Sequence, residues 1–211
     1  MNAKSMMDRH RFQRRLQQRL GAAPIFVCAM LSLPAYAMQF KVLAFGPDSS
    51  IIQGLGSIID GDLIRLRRAV EIAEQKSGRV VALTLDSPGG SLAMAAGSGD
   101  FIRGRHFPVV LPSGSLCASA CFFLFAAANT RIAAPGALLG VHEASAAPGG
   151  APSATGTFLE RKYLEQLQIP SSIIERMAQT DPKKPGLVDA GGTTPNGRGN
   201  SSELGAVSSA A

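Results

Sequence analysis

The chain lacks a Walker loop, a dinucleotide fingerprint and any cluster of histidine, cysteine and acid at metal-ligand spacing. Its residues therefore present no motif for a nucleotide, a redox cofactor or a metal, and no cofactor is expected. Long hydrophobic runs are missing too. The apolar stretch at 22–33 is clearly shorter than the roughly twenty residues a membrane-crossing helix needs. It follows a basic segment, where Lys4, Arg9, Arg11, Arg14, Arg15 and Arg19 face one acid, Asp8, and it precedes Pro34 and Ala35-Tyr36-Ala37. A basic start, a short apolar centre and a small-residue site read as a secretory signal peptide over 1–37, cleaved after Ala37. The residues around Arg14-Arg15 fit a twin-arginine signal poorly, and Cys28 lacks the preceding small residue of a lipoprotein site. The expected location is the periplasm, with the membrane met only during export.

Basic excess is likewise scarce once that segment is set aside. The whole chain has 21 basic and 15 acidic residues, but 38–211 retains 15 against 14. The high isoelectric point belongs to the export signal, and no basic face for nucleic acid is expected. Only Cys117 and Cys121 survive cleavage, in an oxidising compartment. Two readings stand for them. Four helical residues span about 6 Å, within reach of a disulfide, and two buried thiols packing as small hydrophobes are the alternative.

What remains, 174 residues, suffices for one domain with a sizeable core. Strands are expected at 40–45, around Ile51-Ile52, at 80–85, 108–111, 131–134 and 138–141. Helices are expected at 63–76, 92–103, from Ser119 through 122–128, at 157–168 and at 171–179. Asp60-Gly61-Asp62 closes a turn that can cap the first helix. Leu63, Leu66, Val70 and Ala73 repeat at helical spacing, whereas 80–85 is almost continuously apolar, as in a strand buried on both faces. Strands alternating with helices give an α/β domain with short parallel strands, bounded at 38–181. Residues 143–156 read as a loop over the site, and 182–211, rich in Gly, Pro, Ser and Ala, as a disordered tail.

Three strings carry chemistry: Asp86-Ser87-Pro88-Gly89-Gly90-Ser91, Cys117-Ala118-Ser119-Ala120-Cys121 and Gly140-Val141-His142. Ser119 opens a helix, so its Oγ lies near free N–H groups and a positive dipole end. Its hydroxyl is a weak nucleophile without a base, and neutral imidazole titrates in the useful range, which gives His142 that role. Gly89 and Gly90 let main chain approach a ligand closely. Each string also has a plain reading: Ser119 as an N-cap, His142 as a strand-end histidine satisfied by a carbonyl, Pro-Gly-Gly as a turn. His106, beside Phe107-Pro108, reads as exposed.

In order and spacing these strings, with I-x-G-x-I and D-G-D before them, resemble the ClpP-like branch of the ClpP/crotonase superfamily, and most of all its exported, periplasmic relatives. The resemblance covers about residues 51–181. It implies a ClpP/crotonase-like fold of repeated β-β-α units with helices around stacked sheets, and a serine-type endopeptidase working through a Ser-His-Asp triad on peptide or unfolded-protein substrates. Carried over by position, Ser119 matches the nucleophile and His142 the general base. Gly89, Gly90 and Ala120 match the oxyanion-hole segment. The third member is Asp181, with Asp189 as the other candidate or none at all. The ring assembly of the family implies a homo-oligomer.

Three rivals are weighed against that reading. Related membrane-associated proteases resemble Ser-Lys dyads, for which Lys162 is the candidate in this chain. A crotonase-type acyl-CoA enzyme uses the same oxyanion geometry, but its substrate is not expected outside the cytoplasm. A catalytically silent module could capture peptides along a sheet edge.

Overall fold

A computed structural model describes residues 37–147, 150–184 and 186–189. Nearly all of the expected export signal, and the expected tail from residue 190 on, lie outside the described residues.

The chain opens with an antiparallel pair, β1 (Gln39–Ala44) and β2 (Ser50–Leu55), in register from Gln39 opposite Leu55 to Ala44 opposite Ser50. Alternate residues of β2 are buried, the period of a strand with one face on a core. α1 (Asp62–Ser77) follows, burying Leu66, Ala69, Val70 and Ala73 on one stripe. Asp60-Gly61-Asp62 does not cap it by a side chain. Gly61 holds the N-cap position at φ 87°, and the Asp62 carboxylate reaches back to the Ile59 N–H (2.6 Å) and to Arg65 Nε (2.8 Å). That contact fixes the turn carrying Ile58 and Ile59.

Then come β3 (Val80–Asp86), α2 (Leu92–Gly104), β4 (Val109–Leu111), β5 (Leu116–Ala118), α3 (Ala120–Ala127), β6 (Arg131–Ala133), β7 (Leu138–Val141), α4 (Ala154–Gln166), α5 (Ser171–Gln179) and β8 (Gly186–Asp189). One sheet has the order β1-β2-β3-β4-β6, parallel apart from β1; the second is β5-β7-β8, with β5 and β7 parallel and β8 antiparallel. Parallel bridges Ile58–Gly90 and Ser87–Cys117 extend the second layer. Successive units thus give one strand to each layer and a helix between, the β-β-α pattern expected of the chain.

α3 explains why the layers hold together. Its sequence ACFFLFAA is apolar all round and all eight residues are buried, as a helix without a wet face must be. The small residues of α2 have a use as well. A Cβ on Gly99 would stand 2.6 Å from Tyr163 Oη and 2.9 Å from Ala127 Cβ, so glycine lets α3 and α4 close on α2. Tyr163 Oη donates to Ala96 O (3.1 Å) across that contact.

Two strands escape the sequence reading. β5 is three residues inside the cysteine string, where composition suggests only a helix start. β8 overturns the expected boundary at 181: Gly186–Asp189 pairs with β7, Leu139 opposite Val188. It is held by main-chain hydrogen bonds to an open strand edge, which Gly-Pro-rich composition does not reveal. α4 also starts earlier than expected, at Ala154, because Ser153 Oγ accepts the Gly156 N–H (3.2 Å).

Candidate active site

The layer formed by β5 and β7 ends at a cleft of about 690 Å³, lined by Ile58, Gly89, Gly90, Ser119, Ala120, His142, Ala144 and Glu160 among others. Ser119 lies between β5 and α3 with φ 55° and ψ −127°. A non-glycine residue rarely adopts positive φ, and such a backbone costs about 1–3 kcal/mol that its surroundings must offset. Three anchors hold it. The Ser119 N–H donates to Gly140 O (2.8 Å), Ser119 O accepts from Phe122 N–H (2.9 Å), and a disulfide joins Cys117 to Cys121, Cα atoms 5.1 Å apart, around it. Of the two cysteine readings, the structure has the disulfide, with both residues fully buried. The expected N-cap hydrogen bond is absent: the Ser119 side chain accepts nothing from α3. The strained turn presents the hydroxyl to the cleft instead of to the helix.

The glycine corner packs directly on that turn. Gly89 has φ 99°, and a Cβ there would lie 2.6 Å from Ala118 O and 2.7 Å from Ser119 Cβ. Gly90, at φ 143°, sits against the Ile58 carbonyl where any Cβ would collide. The sequence leaves open which glycine offers its N–H. In the structure the Gly89 N–H is taken by the buried Ser87 Oγ (3.1 Å). Gly90 N–H has no hydrogen-bond partner among the described residues, and Ala120, first residue of α3, has an N–H no intrahelical carbonyl can reach. The Gly90 and Ala120 amides are therefore the pair available to a developing oxyanion.

His142 follows the last residue of β7 and is half-buried at the cleft. Its Nδ1 lies 2.7 Å from the Glu143 carbonyl. A carbonyl can only accept, so Nδ1 carries a proton, and in the neutral ring Nε2 then holds the lone pair a general base requires. No hydrogen bond links Ser119 Oγ to the ring among the described residues.

The expected third triad member does not come to the imidazole. Asp181 is exposed and its carboxylate accepts the Lys183 N–H (2.8 Å), closing its own turn. The neighbouring Thr180 supplies only a main-chain carbonyl, to Glu143 N–H (3.0 Å). Asp189 pairs with Leu138, four residues along β7 from His142, about 13 Å at a strand's rise of ~3.3 Å per residue. Lys162 is no better placed for a dyad. It is exposed, paired with Glu165 Oε2 (2.9 Å), and does not line the cleft.

Glu160 is the residue the sequence reading missed. It is 5 % exposed, lines the cleft, and its Oε2 has no hydrogen-bond partner. Burial pushes its carboxyl up to about 7, the Ala144 N–H opposing and the Glu143 charge adding to the rise. A signal existed: Thr157, Glu160 and Leu164 form the buried stripe of α4, an acid at a core-facing position.

No protein-family model matches the chain, and no curated protein matches it in sequence. Among solved structures, a serine-to-alanine variant of the 1510-N membrane-bound stomatin-specific protease superposes with a TM-score of 0.51 at 21% identity, over 67% of this chain and 76% of that one. A lysine-to-alanine variant in complex with a substrate peptide gives 0.48 at 23%, over 60% and 64%. The 1510-N membrane protease specific for a stomatin homolog from Pyrococcus horikoshii gives 0.44 at 22%, over 59% and 60%. The first likeness bears out the fold: mixed α/β, short and mostly parallel strands, of ClpP/crotonase type.

Proposed function

We propose that the chain is a ClpP-like serine peptidase, cleaving peptide bonds through an acyl-enzyme on Ser119. The observation that carries this reading is the strained backbone of Ser119, whose hydroxyl caps no helix and shares a cleft with an imidazole base and two unpartnered amides. Ser119 Oγ attacks the substrate carbonyl as His142 Nε2 takes its proton. The tetrahedral oxygen is held by the Gly90 and Ala120 N–H groups, where preorganised donors stabilise developing charge. Collapse expels the amine, protonated by the imidazolium, and water hydrolyses the ester by the same route. The Glu143 carbonyl fills the orienting role that a carboxylate has in a triad. It fixes the tautomer but supplies no countercharge to the imidazolium, so turnover slower than a full triad's is expected.

The N-terminal charge pattern supports export to the periplasm, and the disulfide fits an oxidising compartment. Peptides or flexible segments are the substrates such a location favours, since no cytosolic unfolding motor reaches them. Stomatin specificity belongs to the protease of similar structure; what this chain shares with that protease is the fold.

A fluorophosphonate probe on the full chain tests the assignment. Ser119 is expected to be labelled, and His142→Ala to slow labelling by about 10²–10⁴, the usual contribution of a general base. Labelling indifferent to His142 would remove the base assignment. The missing carboxylate favours one second reading, a peptide-binding module without turnover; peptide binding with no labelling of Ser119 would select it.

A further inference from the structure

Glu160 is unlike the other acids among the described residues. It sits on the bank of the cleft formed by α4, facing the strand end that carries His142 and Ala144, and it is 5 % exposed. Its Oε2 is buried without a partner, and no lysine or arginine lines the cleft among the described residues. The other charged lining residue, Asp60, is also acidic. A buried carboxylate ordinarily has a cation or several donors beside it. Here the Ala144 N–H, shared with Thr157 Oγ1 (3.1 Å), is the one donor at hand. Ile59 and Leu92 give the cleft aliphatic surface, which suits the stem of a long amphipathic side chain whose charged head goes deeper.

We infer that the cleft selects peptides bearing a lysine or arginine side chain, whose cationic head pairs with the Glu160 carboxyl group at the cleft wall. The inference rests on the peptidase reading for its substrate class but not for its test. Lysine supplies an ammonium that is absent from norleucine on the same stem, so the comparison isolates the charge. An unpaired buried acid discriminates strongly between a ligand that completes it and one that does not.

The experiment uses the full chain carrying Ser119→Ala, so that peptides bind without being cleaved. Calorimetry would compare short peptides differing only in lysine, arginine or norleucine at one position. The expected result is binding of the lysine or arginine peptide about tenfold or more tighter than norleucine, and loss of that preference when Glu160→Gln is added. Equal affinity for lysine and norleucine overturns the inference, a comparison that needs no change at Glu160 and so survives a variant that fails to fold. Preference unchanged by a folded Glu160→Gln overturns it as well. Failure of the peptidase reading would look different: no labelling or cleavage with Ser119 intact, while the lysine preference in binding persists.

Discussion

Ser119 and Glu160 are both held in states that cost free energy locally, and each makes a measurable prediction. The folded chain keeps a proton on Glu160 up to about pH 7, while the unfolded chain releases it near the ordinary value of 4.5. In that window the folded state binds more protons, so stability falls as pH rises, and it stays lower above the window. Glu160→Gln has no such proton. Its melting temperature is expected to match that of the native chain near pH 5 and exceed it at pH 8, by a free energy on the order of 3 kcal/mol at most. Thermal melts at the two values check this, and an equal offset at both would contradict it. Gly89 gives a steric prediction. Gly89→Ala combines a disfavoured φ of 99° with a Cβ 2.6 Å from Ala118 O. The turn beneath Ser119 must move, and probe labelling is expected to fall by at least about tenfold even where the fold survives, as read by circular dichroism. Sequence alone singles out Ser119, His142 and the two glycines, which the structure brings to one cleft, because small residues and a histidine in a fixed order leave a trace. It cannot decide between the amides of Gly89 and Gly90, since that depends on where Ser87 Oγ points. Nor does it reveal that His142 Nδ1 turns to the nearest carbonyl in place of an aspartate.

Elements show a different division. Helix α1 is readable because its apolar residues recur at helical spacing over more than two turns. β5 and β8 are not, because three or four residues carry too little pattern and their pairing partners are distant in sequence. The link between β5 and α3 is the element on which the site depends. Closing a loop as short as Cys117 to Cys121 removes enough unfolded-chain entropy to contribute about 2 kcal/mol. Replacing both cysteines by serine is therefore expected to lower stability by about that amount, measured by urea denaturation, and to reduce Ser119 labelling as the strained turn relaxes. Because both sulfurs are buried, a mild reductant added to the folded chain is expected to leave labelling unchanged over minutes. Phe125→Ala, in the middle of α3, tests the core itself. Deleting a fully buried phenyl ring costs roughly 3–5 kcal/mol, and urea denaturation should show it.

For the molecule as a whole, the two layers are closed by different means. The larger sheet ends on β1, a strand with Leu43 exposed, whereas the smaller one is completed by β8, drawn from a stretch whose composition promises no structure. A chain ending at Lys184 loses β8 and bares the edge of β7 next to His142. It is expected to melt several degrees lower than the full chain and to aggregate more readily, as unpaired strand edges do. The overall α/β class is legible from alternation of strand and helix, while the extension of the smaller layer past β5 is not, since it runs through single bridges such as Ile58 to Gly90. One consequence concerns how an incoming chain is accommodated. The half of the site that bears Ser119 is bolted down, by a cross-link on one side and by a helix with no solvent-facing residue on the other. Its opposing half, Ala144 to Ala147 with Gly156, is built from residues with almost no side chain to interlock. What holds that half in place is main chain instead, Ser153 N–H to Ala144 O (2.8 Å) and Ala146 N–H to Ala151 O (3.1 Å).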